Sequence, residues 1–210
     1  MGDAMNIVIV GAGNVGRALA GGWVKAGHKV TFALRDPNKP DAAELKKQGC
    51  QVVAAKGAAA NGELIVLAVP WTALPAAIED LGAVDGKIIV DATNPLNADL
   101  SLAIGFDDSA GETVAELAPE ARVVKAFNTT GAGNMADSAY PGGKLMMPVA
   151  GDDAESKKTV MSLAAELGFD PVDVGPLAMS RSLEPLAVLW IKLAYAQKHG
   201  LNMGFALLRK

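Results

Sequence analysis

Apolar residues along the chain fall into short unbroken runs, separated by stretches in which they recur every three or four positions. The runs NIVIV (6–10), KVTFA (29–33), CQVV (50–53), ELIVLAV (63–69), KIIVDA (87–92), RVVKAF (122–127), LMMPVA (145–150) and DPVDV (170–174) predict strands. Several are apolar throughout rather than at alternate positions, the pattern of strands covered on both faces. The helical spacing predicts helices near 15–26, 41–48, 72–81, 109–118 and 154–167. Gly27, Gly49 and Gly168 fall just past three of these, where a helix end favours positive φ. Strand, helix and strand in repetition predict a parallel sheet joined by right-handed crossovers. The expected fold is therefore α/β, a Rossmann-type parallel sheet with helices on both faces and a C-terminal helical extension. Its ligand belongs outside the carboxyl ends of the strands, where the strand order reverses.

The last segment breaks the alternation. From about Ser182 the chain places Leu186, Leu189, Trp190, Leu193 and Ala194 at helical spacing, with more apolar surface than the end of a lone monomer needs. The expected division is a dinucleotide-binding domain over 1–180 and a helical extension over 181–210. Packing on its own domain accounts for that apolar face, and so does a dimer seam or a lid over a partner cofactor. A homodimer is the expected assembly.

Composition narrows the function classes. The chain has 210 residues, half of them hydrophobic, with 23 glycines and a net charge of −4. It carries no basic block to follow a nucleic-acid backbone. The single cysteine, Cys50, excludes an internal disulfide, and His28 and His199 stand too far apart for a familiar zinc pattern, so no metal is expected. MGDAM leads directly into a strand, so no signal peptide is expected. The most apolar stretch, PLAVLWIKLAYA from Pro185, holds Lys192 and is too short to cross a bilayer. A protein of the reducing cytoplasm, outside the membrane, is the expectation. Cys50 reads as a buried small hydrophobe, His28 as a loop residue before a strand, Met146 and Met147 as strand packing, and Asn94-Pro95 as a turn.

The candidate chemistry begins with four letters that occur twice, GAGN at 11–14 and again at 131–134. The first copy is Gly11-Ala12-Gly13-Asn14-Val15-Gly16, a GxGxxG between a strand and a helix. Gly11 permits a tight turn, Gly13 lets backbone approach a pyrophosphate, and Gly16 lets the helix pack close to the strand. The N–H groups opening that helix then face the anion. The second strand ends TFALRDPNK. Arg35, with Lys39 four residues on, favours the 2′-phosphate of NADP. Asp36 stands where an acid would favour NAD, but Asp36-Pro37 also reads as a helix N-cap followed by Pro at N1, which would engage that carboxylate locally. The second GAGN lacks the third glycine, having Ala136 there, and its polar continuation does not start a clean amphipathic helix. A second phosphate loop is not expected.

IVIVGAGNVGRALA, GHKVTFALRDP, AVPW, DATNPL, VVKAFNTTGAGNM, PVAGDDAESKKTVMSLAAELGFDPVDVGPL and SRSLEPLAVLWI occur in this order along nearly the whole chain. The sequence thereby resembles the deazaflavin (coenzyme F420)-dependent NADP reductases and the cytosolic NADPH domain of six-transmembrane metalloreductases. The resemblance implies that Ala12, Gly13, Asn14 and Val15 line the pyrophosphate and that Arg35 and Lys39 bind the 2′-phosphate. Leu34 replaces a serine of the deazaflavin reductases. The resemblance also implies that Pro70 and Trp71 border the cofactor's ribose side, although Trp71 also reads as a core aromatic. Thr130 and Ala132 match backbone positions that hold the nicotinamide, and Asn128 matches an asparagine of the metalloreductases. The second GAGN is then expected to present small residues against a flat nicotinamide ring.

No acid–base or nucleophilic constellation appears, and no catalytic side chain is assigned. Ser180, Arg181 and Ser182 adjoin the expected site without a histidine to activate a hydroxyl. Hydride transfer between two stacked rings depends on proximity and orientation more than on proton chemistry. The expected function is hydride transfer between NADPH and a second, small-molecule redox carrier, a flavin or deazaflavin. Reduction of a small organic substrate such as a cyclic imine, or a non-catalytic NADP(H)-sensing role, are the other readings that the sequence leaves open.

Overall fold

The computed structural model describes residues 3–210; Met1 and Gly2 of the opening MGDAM lie outside them. Eight strands form one sheet: β1 (Asn6–Val10), β2 (Lys29–Leu34), β3 (Gln51–Ala54), β4 (Leu64–Leu67), β5 (Ile88–Asp91), β6 (Arg122–Lys125), β7 (Met146–Gly151) and β8 (Asp170–Gly175). Their spatial order is β3-β2-β1-β4-β5-β6-β7-β8. The order reverses between β1 and β4, whose register pairs Ile7 with Leu64 and Val10 with Leu67. Among the described residues seven helices of α type cover the sheet: α1 (Asn14–Ala26), α2 (Pro40–Lys47), α3 (Leu74–Leu81), α4 (Ala110–Leu117), α5 (Ala132–Ala136), α6 (Ala154–Glu166) and α7 (Ser180–Ile191). A π-helical turn, Lys192–Ala196, continues α7.

The continuous apolar runs are explained by two cores, one on each face. Ile7 and Ile9 of β1 point into a core with Leu19, Trp23, Phe32 and Phe169. Val8 and Val10 point into the other, with Leu67, Leu74, Ile78 and Ile89. Both faces of the central strands therefore exclude water, so neither can spare an apolar position. Trp23 meets Phe127 edge-on at a ring separation of 5.6 Å, and its indole N–H donates to the Leu163 carbonyl. That pairing suits a buried Trp, which needs both an aromatic neighbour and a polar partner. Gly27, Gly49 and Gly168 all have positive φ, ending their helices as the sequence predicts.

One expectation is corrected, and two local readings gain detail. The sheet is not parallel throughout: β7 runs antiparallel to β6, while β7 and β8 are parallel to each other. The chain reaches β7 from the carboxyl end of β6 through α5 and a loop, without first crossing back over the sheet. The second GAGN does start a helix, α5, whose five residues are too few to display an amphipathic period. His28 does precede β2, but it is buried. Its Nδ1 accepts from the Met5 N–H at 3.1 Å, leaving the proton on Nε2 to face Glu166 Oε2 at 2.6 Å.

Candidate functional site

The switch point between β1 and β4 opens into a cleft of about 510 Å³, within the usual range for small-ligand pockets. Gly11, Ala12, Gly13, Arg35, Lys39 and Pro70 line it. Gly11 has a φ of 106°, and a Cβ there would stand 2.3 Å from the Ala68 carbonyl oxygen. Any other residue would strain the backbone and collide with the loop after β4. A Cβ on Gly16 would stand 2.2 Å from the Gly11 carbonyl oxygen, so this glycine lets α1 close against the turn. Gly13 is different. A Cβ there would meet nothing within 4 Å. Its missing side chain leaves open space over the first amides of α1, which is what an approaching pyrophosphate requires.

Arg17 was not singled out from the sequence, yet it fixes this loop. Its Nε donates to the Ala12 carbonyl at 2.8 Å, and its guanidinium reaches Glu44 at 3.3 Å and Asp41 at 3.4 Å on α2. The loop's carbonyl is thus held by Arg17, while Asp41, one of the acids lining the cleft, is engaged. Asp36 is engaged too, though not as a helix cap. Its Oδ1 accepts the Asn38 N–H at 3.0 Å, and α2 begins at Pro40 with Lys39 as N-cap. Pro40 forces Lys39 to extended backbone, which keeps residues 37–39 out of the helix. Among the described residues neither Arg35 nor Lys39 forms an ion pair, so two exposed cations at the rim remain available to an anion. The glycine loop, the open face of Gly13 and this basic rim together fit an NADP-type dinucleotide.

The remaining sequence-predicted residues lie outside the cleft lining. Asn14, Val15 and Gly16 form the first turn of α1 behind the loop. Trp71 opens a 3-10 turn, Trp71–Ala73, and packs half-buried against the α3-side core, whereas its neighbours Pro70 and Thr72 line the cleft. Asn128, Thr130 and Ala132 belong to the segment after β6. Phe127, which starts it, is buried with a φ of 62°, a costly conformation for a bulky residue. Asn128 and Asn94 lock the loops after β6 and β5 to each other. Asn128 Nδ2 donates to Asn94 Oδ1 at 3.0 Å, and Asn94 Nδ2 donates to the Asn128 carbonyl at 3.0 Å. Asn94 is therefore a tie between loops rather than only a turn residue. Buried side-chain oxygens of Thr93, Asn128 and Ser180 have no partner among the described residues.

Below these loops lies an ionic cluster that sequence reasoning missed. Lys125 Nζ stands 2.8 Å from Asp91 Oδ2, 2.7 Å from Glu184 Oε1 and 2.8 Å from the Thr93 carbonyl. All three charged side chains are fully buried. Glu184 also accepts the N–H groups of Ala110 and Gly111 at the start of α4, which offsets the second negative charge. Burial pushes the Glu184 carboxyl above its ordinary range, and Lys125 opposes that shift. The signal was present: Asp91 and Lys125 each close an apolar run, and the register places them side by side. On the surface nearby, Arg181 grips Glu112 through both oxygens, and this hydrogen bonding holds the Glu112 carboxyl below its usual range.

Comparison with known proteins agrees with this geometry. Residues 6–95 match the family described as NADP oxidoreductase, coenzyme F420-dependent. A candidate F420-dependent NADP reductase from Arthrobacter sp. FB24 has 34% sequence identity and a TM-score of 0.90, the alignment covering 98% of this chain and 100% of that one. The hypothetical protein SMa0349 from Sinorhizobium meliloti has 30% identity and a TM-score of 0.76, over 85% and 89% of the two chains. The metalloreductase STEAP3 of Rattus norvegicus is 32% identical over 192 residues, 89% of this chain and 38% of the rat protein. The chain thus spans well under half the length of that relative. Among the described residues no helix is long and apolar enough to cross a membrane, and no group of three metal-binding side chains converges.

Proposed function

Because the chain belongs to the coenzyme F420-dependent NADP oxidoreductase family, we propose that it passes hydride between NADPH and a flavin or deazaflavin ring. The observation that carries this reading is the open face of Gly13 beside a rim on which Arg35 and Lys39 have no ion-pair partner among the described residues. In this reading the turn from Gly11 to Gly16 holds the pyrophosphate, and Arg35 and Lys39 hold the 2′-phosphate. Pro70 and Trp71 border the ribose, and Asn128, Thr130 and Ala132 support the nicotinamide. NADPH, when bound, would supply the hydride that the acceptor receives and would become NADP⁺. The protein's own part is to hold one face of the ring and leave the other open, since oriented contact lowers the barrier substantially. Residues 128–132 and 180–182 include no histidine, cysteine or carboxylate, and the charged groups nearby are engaged with one another, which supports a transfer that needs alignment rather than a proton relay.

Residues 181–210 act in this reading as a C-terminal extension, the start of whose helix walls the acceptor side. The exposed Leu189 and Tyr195 on it support a homodimer seam, which solution mass measures. A cytoplasmic setting suits the lone buried thiol of Cys50. Steady-state NADPH oxidation against riboflavin, FMN, a deazaflavin, ferric chelates and a cyclic imine tests the acceptor. Turnover with the flavin or deazaflavin panel is the expected result. Turnover with the imine alone overturns the acceptor class, and tight NADPH binding without any turnover favours a sensing role.

A further inference from the structure

Asn134, the last residue of the second GAGN, is buried and uses all its hydrogen-bonding groups at once. Its Nδ2 donates to Thr130 Oγ1 at 2.7 Å and to the Met203 carbonyl at 2.7 Å, while its Oδ1 accepts from the Tyr140 hydroxyl at 2.7 Å. The Met203 carbonyl accepts a second bond, from the Trp190 indole N–H at 3.0 Å. The same indole lies on Gly131, where a Cβ would stand only 2.5 Å from the ring. Two contacts from the C-terminal part therefore converge on the 130–131 turn, one polar through Asn134 and one apolar through Trp190.

The segment that supplies Met203 is itself anchored. The Phe205 carbonyl accepts the Met146 N–H at 2.8 Å, Gly204 packs on Leu145, and Arg209 pairs with Asp170 at 2.7 Å. Residues 203–209 thus form a strap fixed to the first residues of β7 and β8. The Met203 carbonyl can only accept, so Asn134 must turn its Nδ2 toward it and its amide has one orientation.

We infer that Asn134 is a positioning residue that links this strap to Thr130 and thereby fixes the floor of the nicotinamide site. The inference rests on the placement of the nicotinamide against residues 128–132. Asn134 itself lies beneath the loop and is not assigned contact with cofactor. Its loss should free the turn without disturbing the phosphate contacts around Gly13 and Arg35. The ring would then be held less firmly in a cofactor whose other end remains anchored.

The test uses the full chain with NADPH as probe. Bound nicotinamide emits with a longer lifetime than the free cofactor when its ring is immobilised, and that lifetime is read together with NADPH affinity. Asn134→Ala should shift the lifetime toward that of free NADPH while changing Kd by less than about threefold. Single-turnover hydride transfer to riboflavin should fall by about tenfold or more. Trp190→Phe keeps a ring against Gly131 and removes one bond to Met203; it should move the lifetime in the same direction by a smaller amount, and it serves if Asn134→Ala does not fold. An unchanged lifetime and rate in the folded variant, beside a wild-type lifetime clearly longer than that of free NADPH, overturns the role of Asn134 and leaves the nicotinamide site standing. A wild-type lifetime equal to that of free NADPH overturns the site itself, and the inference with it.

Discussion

Replacing Lys125 with methionine should be among the most damaging single changes in this fold. Methionine has a similar length and volume, so the cost arises from charge rather than from a cavity. The lysine ammonium touches Asp91, Glu184 and the Thr93 carbonyl within 2.7–2.8 Å, and neither carboxylate reaches water. Removing the one cation leaves buried negative charge uncompensated, a loss of about 3–5 kcal/mol. A domain of ordinary stability has only about 5–15 kcal/mol in total. The pH dependence gives the second half of the test. Burial raises the Glu184 carboxyl above its ordinary value, so the folded protein holds that proton more tightly than the unfolded chain does. The stability from this group is complete below the unfolded pKa, about 4.3, and is lost as pH rises through the folded value. Without Lys125 the folded value rises further, so the deficit should be largest at alkaline pH and shrink on acidification. Urea unfolding followed by circular dichroism at about pH 8 and pH 5.5 measures both. Adding Glu184→Gln should restore part of the loss, because an amide keeps the shape without the charge. A deficit under about 1 kcal/mol at the higher pH, or one that grows toward the lower, would refute the electrostatic reasoning.

Three further outcomes follow from the cleft and the second GAGN. Arg35→Ala should weaken NADPH binding by about 1.5–3 kcal/mol and leave NADH binding nearly unchanged, read by calorimetric titration; equal losses would turn attention to Asp36. Gly13→Val should fold, because a side chain there meets open space, yet lose dinucleotide binding; micromolar NADPH affinity, about −8 kcal/mol, would show that the loop is not the cradle. Ala132→Leu should slow hydride transfer far more than it weakens NADPH binding, read by single-turnover kinetics and equilibrium titration, and an untouched rate would remove the nicotinamide from this loop.

Much of the sheet was legible because its strands are short, apolar and punctuated by helices of ordinary length. Gly27, Gly49 and Gly168 marked helix ends for a local reason, positive φ, which sequence displays directly. The reversal of β7 was not legible, since periodicity carries no direction and the link from β6 passes through a helix too short to show its phase. Asp36 was misplaced because Pro37 drew attention from Pro40, the proline that sets the helix start. The glycine loop and the basic rim were visible because a phosphate site is built from consecutive residues. Arg17 and the Lys125 cluster were not, since each depends on partners brought together only by the fold.

The reversed strand has a practical consequence for reporter design. Because β7 begins at the end of the sheet where β1 to β6 finish, Met146 and Asp170 stand at that same edge, and the residues bonded to them, Phe205 and Arg209, stand there too. A β7 parallel to β6 would have put its first residue at the opposite edge, about 20 Å away for a six-residue strand. Met5, which meets the His28 ring before β2, lies at that opposite edge. A fluorophore attached near Arg209 therefore shares an edge with the 130–134 turn to which this strap is bonded, and should respond to movement of that turn. One attached near Met5 provides an internal reference in the same molecule.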